Sequence, residues 1–305
     1  MPWLVVALFA PALSAFGSYL DKYLLVHQKR TGGIGSVILF SCFFGVLILP
    51  VAFLLGGNIF SVTLLEAIIL IANGCLTVAT LAAYLYAIRD SNIVSVVPIL
   101  QTIPVFGFVL GYFVLGETLG LYQIVGSVII ILCAILLSFE IEENIKVRFR
   151  KRDFFLALLS SFLFAVSGVV FKAIAIDRGY WVTQFWEYLG IGLIGVILFL
   201  LLASYRHSFL SVLRNRRIGV VGLNFSTEAV MVSSDLLLNF ATLLAPIALV
   251  YSVNAFQPAF LVGYGLIGLL LAPRFMNQLA FVRRHIVIKI LTIAIMIIGA
   301  LIIYS

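Results

Sequence analysis

Charged residues are scarce in this sequence. Asp, Glu, Lys and Arg make up 10% of its 305 residues, whereas a water-soluble domain carries about 25%. Apolar residues make up 64%, against roughly 45–50% in a soluble domain. Such a chain has too little polar surface to face water on all sides. A soluble globular fold is therefore excluded.

Cysteine and histidine are also scarce, with three of each. The cysteines lie within apolar stretches, the histidines lie in or beside basic loops, and neither set has the spacing of metal ligands. The six residues are Cys42, Cys75, Cys133, His27, His207 and His285. No Gly-rich loop with a phosphate-binding lysine is present either. We therefore expect no metal, no cofactor, no ATP hydrolysis and no enzymatic activity.

Long apolar stretches, in contrast, fill the chain. A hydrocarbon core about 30 Å thick needs about 20 apolar residues per helix, and the alternating pattern of a membrane β-barrel is absent. Ten stretches are long enough: 3–20, 34–55, 65–88, 93–115, 119–139, 154–177, 182–203, 218–243, 247–271 and 286–304. The first resembles a signal peptide but lacks the positive start of one, so it is interpreted as a span. The sequence predicts an all-α polytopic membrane protein of ten transmembrane helices.

The formal net charge of +7 is concentrated in the loops after the first, fifth, seventh and ninth stretches. By the positive-inside rule these loops are cytoplasmic, which places both termini outside. The charge then reflects topology and contact with anionic lipid, and nucleic acid is not an expected partner. We expect a multi-pass protein of the plasma membrane, as a monomer or a homodimer.

Two halves of the sequence resemble each other. The charged linker 140–153 leaves five spans on each side, in segments 1–139 and 154–305. A shift of 154 residues aligns Ala87 with Ala241, Pro104 with Pro258 and Gly111 with Gly265. Because five is an odd number, the second copy enters the membrane from the opposite side. The pattern predicts an inverted 5+5 repeat, an architecture that supports alternating access.

Several short motifs then occur in a fixed order. They are Tyr84-Leu85-Tyr86-Ala87, Pro104, Leu115-Gly116-Glu117 and Gln123-Ile124-Val125-Gly126. Together with the ten spans they resemble the EamA-like family of the drug/metabolite transporter superfamily, over essentially the whole chain. The resemblance implies the ten-helix fold and a role in transport, and it implies no particular substrate. Two features depart from it: the second half has Leu270-Leu271-Ala272-Pro273 in place of Leu-Gly-Glu, and the charge bias places the termini outside.

Two carboxylates, Glu228 and Asp235, lie in the eighth span. A carboxylate near the middle of a bilayer costs about 3 kcal/mol or more, so it usually faces the bundle interior or a water-filled pathway. Seven residues span two helical turns, about 10 Å, so both acids share one helix face. They are expected to relay protons, bind a cationic substrate or pair with a buried base. Lys172 and Glu187 are further candidates for binding substrate or protons. An ion pair of Lys172 with Glu187 or Glu228 is the alternative, and the sequence does not rank these roles.

Prolines and polar side chains mark the fourth and ninth spans of the predicted repeat. A proline inside a helix bends it and frees a carbonyl group, so Pro104 and Pro258 are candidate hinges. The other candidate cavity residues are Gln101, Asn254, Gln257, Tyr84 and Tyr251. Amides of this kind also join helices to each other, and aromatic rings also bind cations.

These observations favour a secondary transporter or facilitator that moves a small polar or amphipathic solute, such as a metabolite, an amino acid or an amine. Transport would proceed by alternating access and could be coupled to protons. The expected partners are the solute and membrane lipid. Two alternatives stay open: a flippase of a lipid-linked sugar, and a membrane assembly protein without transport activity.

Overall fold

The computed structural model describes residues 2–27, 33–90, 98–140, 151–214, 218–271 and 286–304, and the statements below concern these residues. They form thirteen helices of more than three residues and no strand. The helices are α1 (Pro2–His27), α2 (Ile34–Gly45), α3 (Ile48–Leu55), α4 (Leu64–Asp90), α5 (Ile103–Leu115), α6 (Leu121–Glu140), α7 (Lys151–Arg178), α8 (Tyr180–Leu201), α9 (Ala203–Arg214), α10 (Ile218–Leu244), α11 (Ile247–Asn254), α12 (Gln257–Leu271) and α13 (Ile286–Tyr304).

The ten predicted spans are all helical in the described part of the chain. Nine are long and apolar enough to cross a membrane, and the tenth, Val287–Ile303, is a shorter apolar helix. The prediction of an all-α polytopic membrane protein is therefore confirmed. Of the predicted linker 140–153, residues 141–150 lie outside the described residues, and α7 begins within the linker at Lys151.

The fourth and ninth spans are interrupted at equivalent positions. A turn at 101–102 precedes α5, and a turn at 255–256 separates α11 from α12. The backbone hydrogen bonds of the two turns correspond under the 154-residue shift: Thr102 to Ile99 and Phe256 to Val253 are both 3.0 Å. Thus the sequence relation between the halves extends to the backbone geometry of these two spans.

The helix breaks do not lie at the two prolines, where the sequence predicts them. Pro104 and Pro258 are each the second residue of the helix that resumes after the turn. A proline in the first turn of a helix loses no hydrogen bond, because that N–H has no intrahelical partner. The expected interruption of a helix by each proline is therefore wrong in position: the break precedes the proline.

Helix pairing follows the same relation between the halves. The first and eighth spans pair closely as α1 with α10, and the third and sixth spans pair closely as α4 with α7. Exchanging the halves converts one pair into the other. The fifth and tenth spans, α6 and α13, pair with each other, which is also what an exchange of halves requires.

Helices α4 and α8 approach backbone to backbone. A Cβ atom added at Gly74 would collide with the Glu187 carbonyl, and one added at Gly190 would collide with the Ile71 carbonyl. Glycine is required at both positions because only its missing side chain allows this approach. The contact brings the polar residues next to Gly74 against those of α8.

One helix lies in a segment whose basic composition predicts a loop between the seventh and eighth spans. Helix α9 (Ala203–Arg214) packs against α2, and its Phe209 ring lies 4.8 Å from that of Phe40. The Tyr205 hydroxyl hydrogen bonds with the Tyr86 hydroxyl of α4 at 2.8 Å. Its polar face carries Arg206 and Arg214, so it is an amphipathic helix beside the predicted cytoplasmic ends of the spans.

Candidate functional site

Asp235 of α10 lies near the middle of the membrane span Gly222–Leu244. Its side chain is exposed, while Val232 and Ser234 of the same helix are buried. It lies close enough to Glu187 of α8 for the two carboxylates to interact electrostatically. A mid-span carboxylate usually faces the bundle interior or a water-filled pathway, and a second carboxylate within electrostatic range on another helix fits such a position.

Tyrosines surround these two carboxylates. Tyr180, Tyr188 and Tyr251 each lie within electrostatic range of both Glu187 and Asp235. The Tyr180 hydroxyl donates a hydrogen bond of 2.7 Å to the carbonyl of Leu236, the residue after Asp235. This bond joins the start of α8 to α10 and places an aromatic ring beside the carboxylate.

Glu187 itself is buried between α4, α7 and α8. Its Oε1 accepts hydrogen bonds from Asn73 Nδ2 at 3.0 Å and from Thr77 Oγ1 at 3.2 Å. Asn73 Nδ2 also donates to the Ser167 carbonyl at 3.2 Å, and the hydroxyls of Thr77 and Ser167 lie 3.0 Å apart. A carboxylate, an amide and two hydroxyls thus form one connected cluster inside the membrane region.

Glu228 has a different set of neighbours from Asp235. The Ser41 hydroxyl of α2 lies 2.8 Å from each of its carboxylate oxygens, and the side chain is half-buried. The two acids therefore face different neighbours, Glu228 against α2 and Asp235 toward α8. A common helix face, as the sequence predicts, does not produce a common set of contacts.

Lys172 pairs with a residue that the sequence analysis does not consider for it. Its Nζ lies 2.5 Å from Glu117 Oε1 and donates to the Ala245 carbonyl at 2.7 Å. The expectation that it pairs with Glu187 or Glu228 is therefore wrong. Lys172 lies near the end of α7, where the end of α5 and the turn before α11 also lie. The side chain therefore meets Glu117 and the Ala245 carbonyl.

The three predicted amides lie around the two helix breaks. Gln101 is buried in the turn at 101–102, and Asn254, at the end of α11, is half-buried. Gln257 Nε2 lies 3.4 Å from the Ser18 hydroxyl of α1. Gln257 thus contributes to the packing of α12 against α1, while a role for any of the three in solute binding stays a prediction.

The two predicted tyrosines differ in burial. Tyr84 is half-buried on α4. Tyr251 is buried, and its ring fills the space that glycines leave on two neighbouring helices: Cβ atoms added at Gly107 of α5 or Gly168 of α7 would collide with it. Tyr251 therefore holds α5, α7 and α11 together, in addition to lying near the carboxylates.

Sequence reasoning misses several polar residues of the interior. Asn73, Thr77, Ser167 and Gln184 are uncharged and lie in apolar spans, so charge counting does not find them. Their shared signal is a hydrogen-bonding side chain inside a span. Lys289 is also missed: it is buried in α13, in a span where no candidate residue is predicted. In the described part of the chain no group of three or more His, Cys, Asp or Glu side chains is placed to hold a metal ion.

Comparisons with known proteins agree with this architecture. Residues 1–139 match the model of the EamA-like transporter family. Twenty-two chains of solved structures match the fold, including a protein crystal structure that is 13% identical, with a TM-score of 0.59 over 99% of this chain and 96% of that one. At that identity the likeness shows the fold alone. A search of curated proteins gives no match.

Proposed function

Because residues 1–139 belong to the EamA-like transporter family, part of the drug/metabolite transporter superfamily, we propose that the whole chain is a secondary transporter of a small solute. The solute carries a positive charge, as an amine does, and it binds at Asp235. The observation that carries this proposal is the exposed carboxylate of Asp235 in the middle of a span, within electrostatic range of Glu187.

The charge balance around Asp235 favours a cation. Glu187 adds a second carboxylate, and the positive charge of Lys172 is already matched by Glu117 at 2.5 Å. The site thus attracts positive charge and repels anions. Tyr180, hydrogen bonded next to Asp235, also offers a ring face, and an aromatic face attracts a cation by about 0.5–2 kcal/mol.

Alternating access is supported by the contacts between the halves. Two ion pairs, Lys172 with Glu117 and Arg178 with Glu66, each join a residue of segment 154–305 to one of segment 1–139. Both bases lie in the last part of α7, on the membrane side opposite the predicted cytoplasmic loops. Opening the cavity to that side would separate the halves there, and the turns before Pro104 and Pro258 are the proposed bending points.

A thermal-shift screen of detergent-purified protein tests the solute class. Amines, amino acids, sugars and nucleotides are added in turn, because a ligand that binds the folded protein raises its Tm. We expect amines alone to raise the Tm, in wild type and in the control Asp177→Asn, which removes an exposed acid at the end of α7. Asp235→Asn should lose the shift.

Two results would contradict this assignment. A shift that persists in Asp235→Asn would place the solute elsewhere. No shift with any soluble compound would move the proposal to the flippase of a lipid-linked sugar, whose substrate enters sideways from the bilayer. Uptake of the identified amine into proteoliposomes, present in wild type and lost in Asp235→Asn, then tests transport itself.

A further inference from the structure

Four buried polar atoms of the Glu187 cluster and its surroundings have no hydrogen-bond partner among the described residues. They are Glu187 Oε2, Asn73 Oδ1, Gln184 Oε1 and Gln184 Nε2. The exposed fractions of the three residues are 4%, 2% and 0%. Glu187 and Asn73 are hydrogen bonded to each other, and Gln184 lies one turn before Glu187 on α8.

Unpartnered buried atoms are rare in native proteins and call for an explanation. Each unmade hydrogen bond is destabilising, and more so when the atom belongs to a charged group. Three of the four atoms here are oxygens, one of them from a carboxylate. A binding partner that accepts electron pairs from several oxygens would recover this cost.

A proton accounts for only part of the arrangement. Protonation of Glu187 would neutralise the carboxylate and supply one O–H donor, which leaves at least one amide oxygen of Asn73 and Gln184 without a partner. A hard metal cation prefers oxygen ligands and, unlike a proton, can bind several oxygens at once. The single carboxylate of the cluster balances one positive charge, which favours a monovalent ion.

We propose that Glu187, Asn73 and Gln184 form a binding site for Na⁺. Glu187 supplies the negative charge and Asn73 and Gln184 supply amide oxygens. The hydroxyls of Thr77 and Ser167, which already contact Glu187 or each other, border the site and complete its oxygen-rich lining. Transporters that use Na⁺ commonly bind it within the membrane at sites of this depth.

The proximity of Glu187 to Asp235 gives this site a consequence for transport, which rests on the proposed function. Na⁺ bound at Glu187 cancels a negative charge near Asp235, and this weakens the attraction of Asp235 for a cationic solute. By reciprocity the solute weakens Na⁺ binding by the same factor. The two cations therefore compete, which is the relation that an exchange of Na⁺ for solute requires.

The test uses full-length protein in detergent at fixed pH. Its Tm is measured in NaCl, KCl and choline chloride at equal ionic strength, so that general salt effects cancel. We expect a saturable increase of Tm with Na⁺ alone. Gln184→Leu should abolish the increase, measured against the Tm of the same variant in choline chloride, because Gln184 also lies within reach of the Tyr180 hydroxyl.

Matched threonines on α4 provide the control. Thr77→Val removes a hydroxyl of the cluster and should weaken the Na⁺ response. Thr80→Val removes a buried hydroxyl one turn further along α4, which bonds only to the Leu76 carbonyl of its own helix at 2.9 Å, and should leave the response intact. Asp235→Asn should keep the Na⁺ response while losing the response to amines, so this test and that of the proposed function fail separately.

Equal Tm values in the three salts would overturn the Na⁺ site, and so would a Na⁺ response that persists in Gln184→Leu. A Tm that depends on pH but not on Na⁺ would also overturn it and assign a proton to Glu187. Isothermal titration of wild-type protein with NaCl provides a second measurement, whose heat should be absent from Gln184→Leu.

Discussion

Glu117 caps a helix that it does not belong to: its Oε2 accepts a hydrogen bond of 2.8 Å from the backbone N–H of Ile247, the first residue of α11. Gly116 ends α5 in the left-handed conformation, with φ of +67°, and the Glu117 N–H bonds the Gly111 carbonyl at 3.1 Å. Helices commonly end at a residue in the left-handed conformation, for which glycine is the favoured residue. The Leu-Gly-Glu motif thus ends one helix, starts another and supplies the partner of Lys172.

Glu117→Gln should strongly destabilise the protein. Glutamine keeps the size of the side chain but leaves the buried ammonium of Lys172 without a counter-charge, a change that costs about 3–5 kcal/mol. Unfolding in mixed detergent micelles measures the free energy. In Glu117→Gln/Lys172→Met the loss should be smaller than the sum of the single losses. A single-variant loss below about 1 kcal/mol would contradict the structure.

Glu66→Gln provides the contrast. Glu66 accepts a hydrogen bond from Arg178 Nε at 3.0 Å and also caps α4, where its Oε2 accepts one from the Thr63 N–H at 2.6 Å. Glutamine preserves this capping box and removes only the ion pair, which is partly exposed, so that water and salt screen it. The same unfolding measurement should show a small loss that disappears at high salt. A loss as large as that of Glu117→Gln would mean that this pair is shielded from solvent.

Gly168→Ala should destabilise the bundle by overpacking, at a cost of about 1–3 kcal/mol. The added methyl group would collide with the Tyr251 hydroxyl, and Tyr251 is held on its other side by Gly107. Adding Tyr251→Phe, which removes that hydroxyl, should recover part of the lost Tm. Gly263→Ala is the control: a Cβ there meets no atom within 4 Å, so its Tm should be unchanged or higher. Equal losses in the two alanine variants would refute the contact.

The fold is largely predictable from this sequence because span length and hydrophobicity depend on local composition. The ten spans follow from the thickness of a bilayer, and the alignment of Pro104 with Pro258 locates both helix breaks to within a few residues. Helix α9 is missed because Arg206 and Arg214 give its segment the composition of a cytoplasmic loop. Its apolar face becomes apparent only when Phe209 is seen against Phe40.

The partners of the buried charges could not be predicted in the same way. The sequence places Lys172 inside a span, but its partner depends on which helix ends meet at the same depth, a property of the packing. The same holds for Glu228 and Asp235. Their common face on α10 does not determine which neighbouring helix each of them contacts. Asn73 and Gln184 are hidden for another reason: an uncharged amide in a span more often joins helices than binds an ion.

Glu228→Gln should abolish any dependence of transport on pH while leaving folded protein in the membrane. Glu228 is the carboxylate that Ser41 contacts at 2.8 Å, and an amide in its place cannot gain or lose a proton. Flux of the identified solute into proteoliposomes, measured over a range of pH, checks this. Ser41→Ala is the control, because it removes the hydroxyl and keeps the titrating group, so the pH dependence should shift rather than vanish. An unchanged pH profile in Glu228→Gln would exclude Glu228 as a proton carrier and restrict the proton role to Asp235 and Glu187.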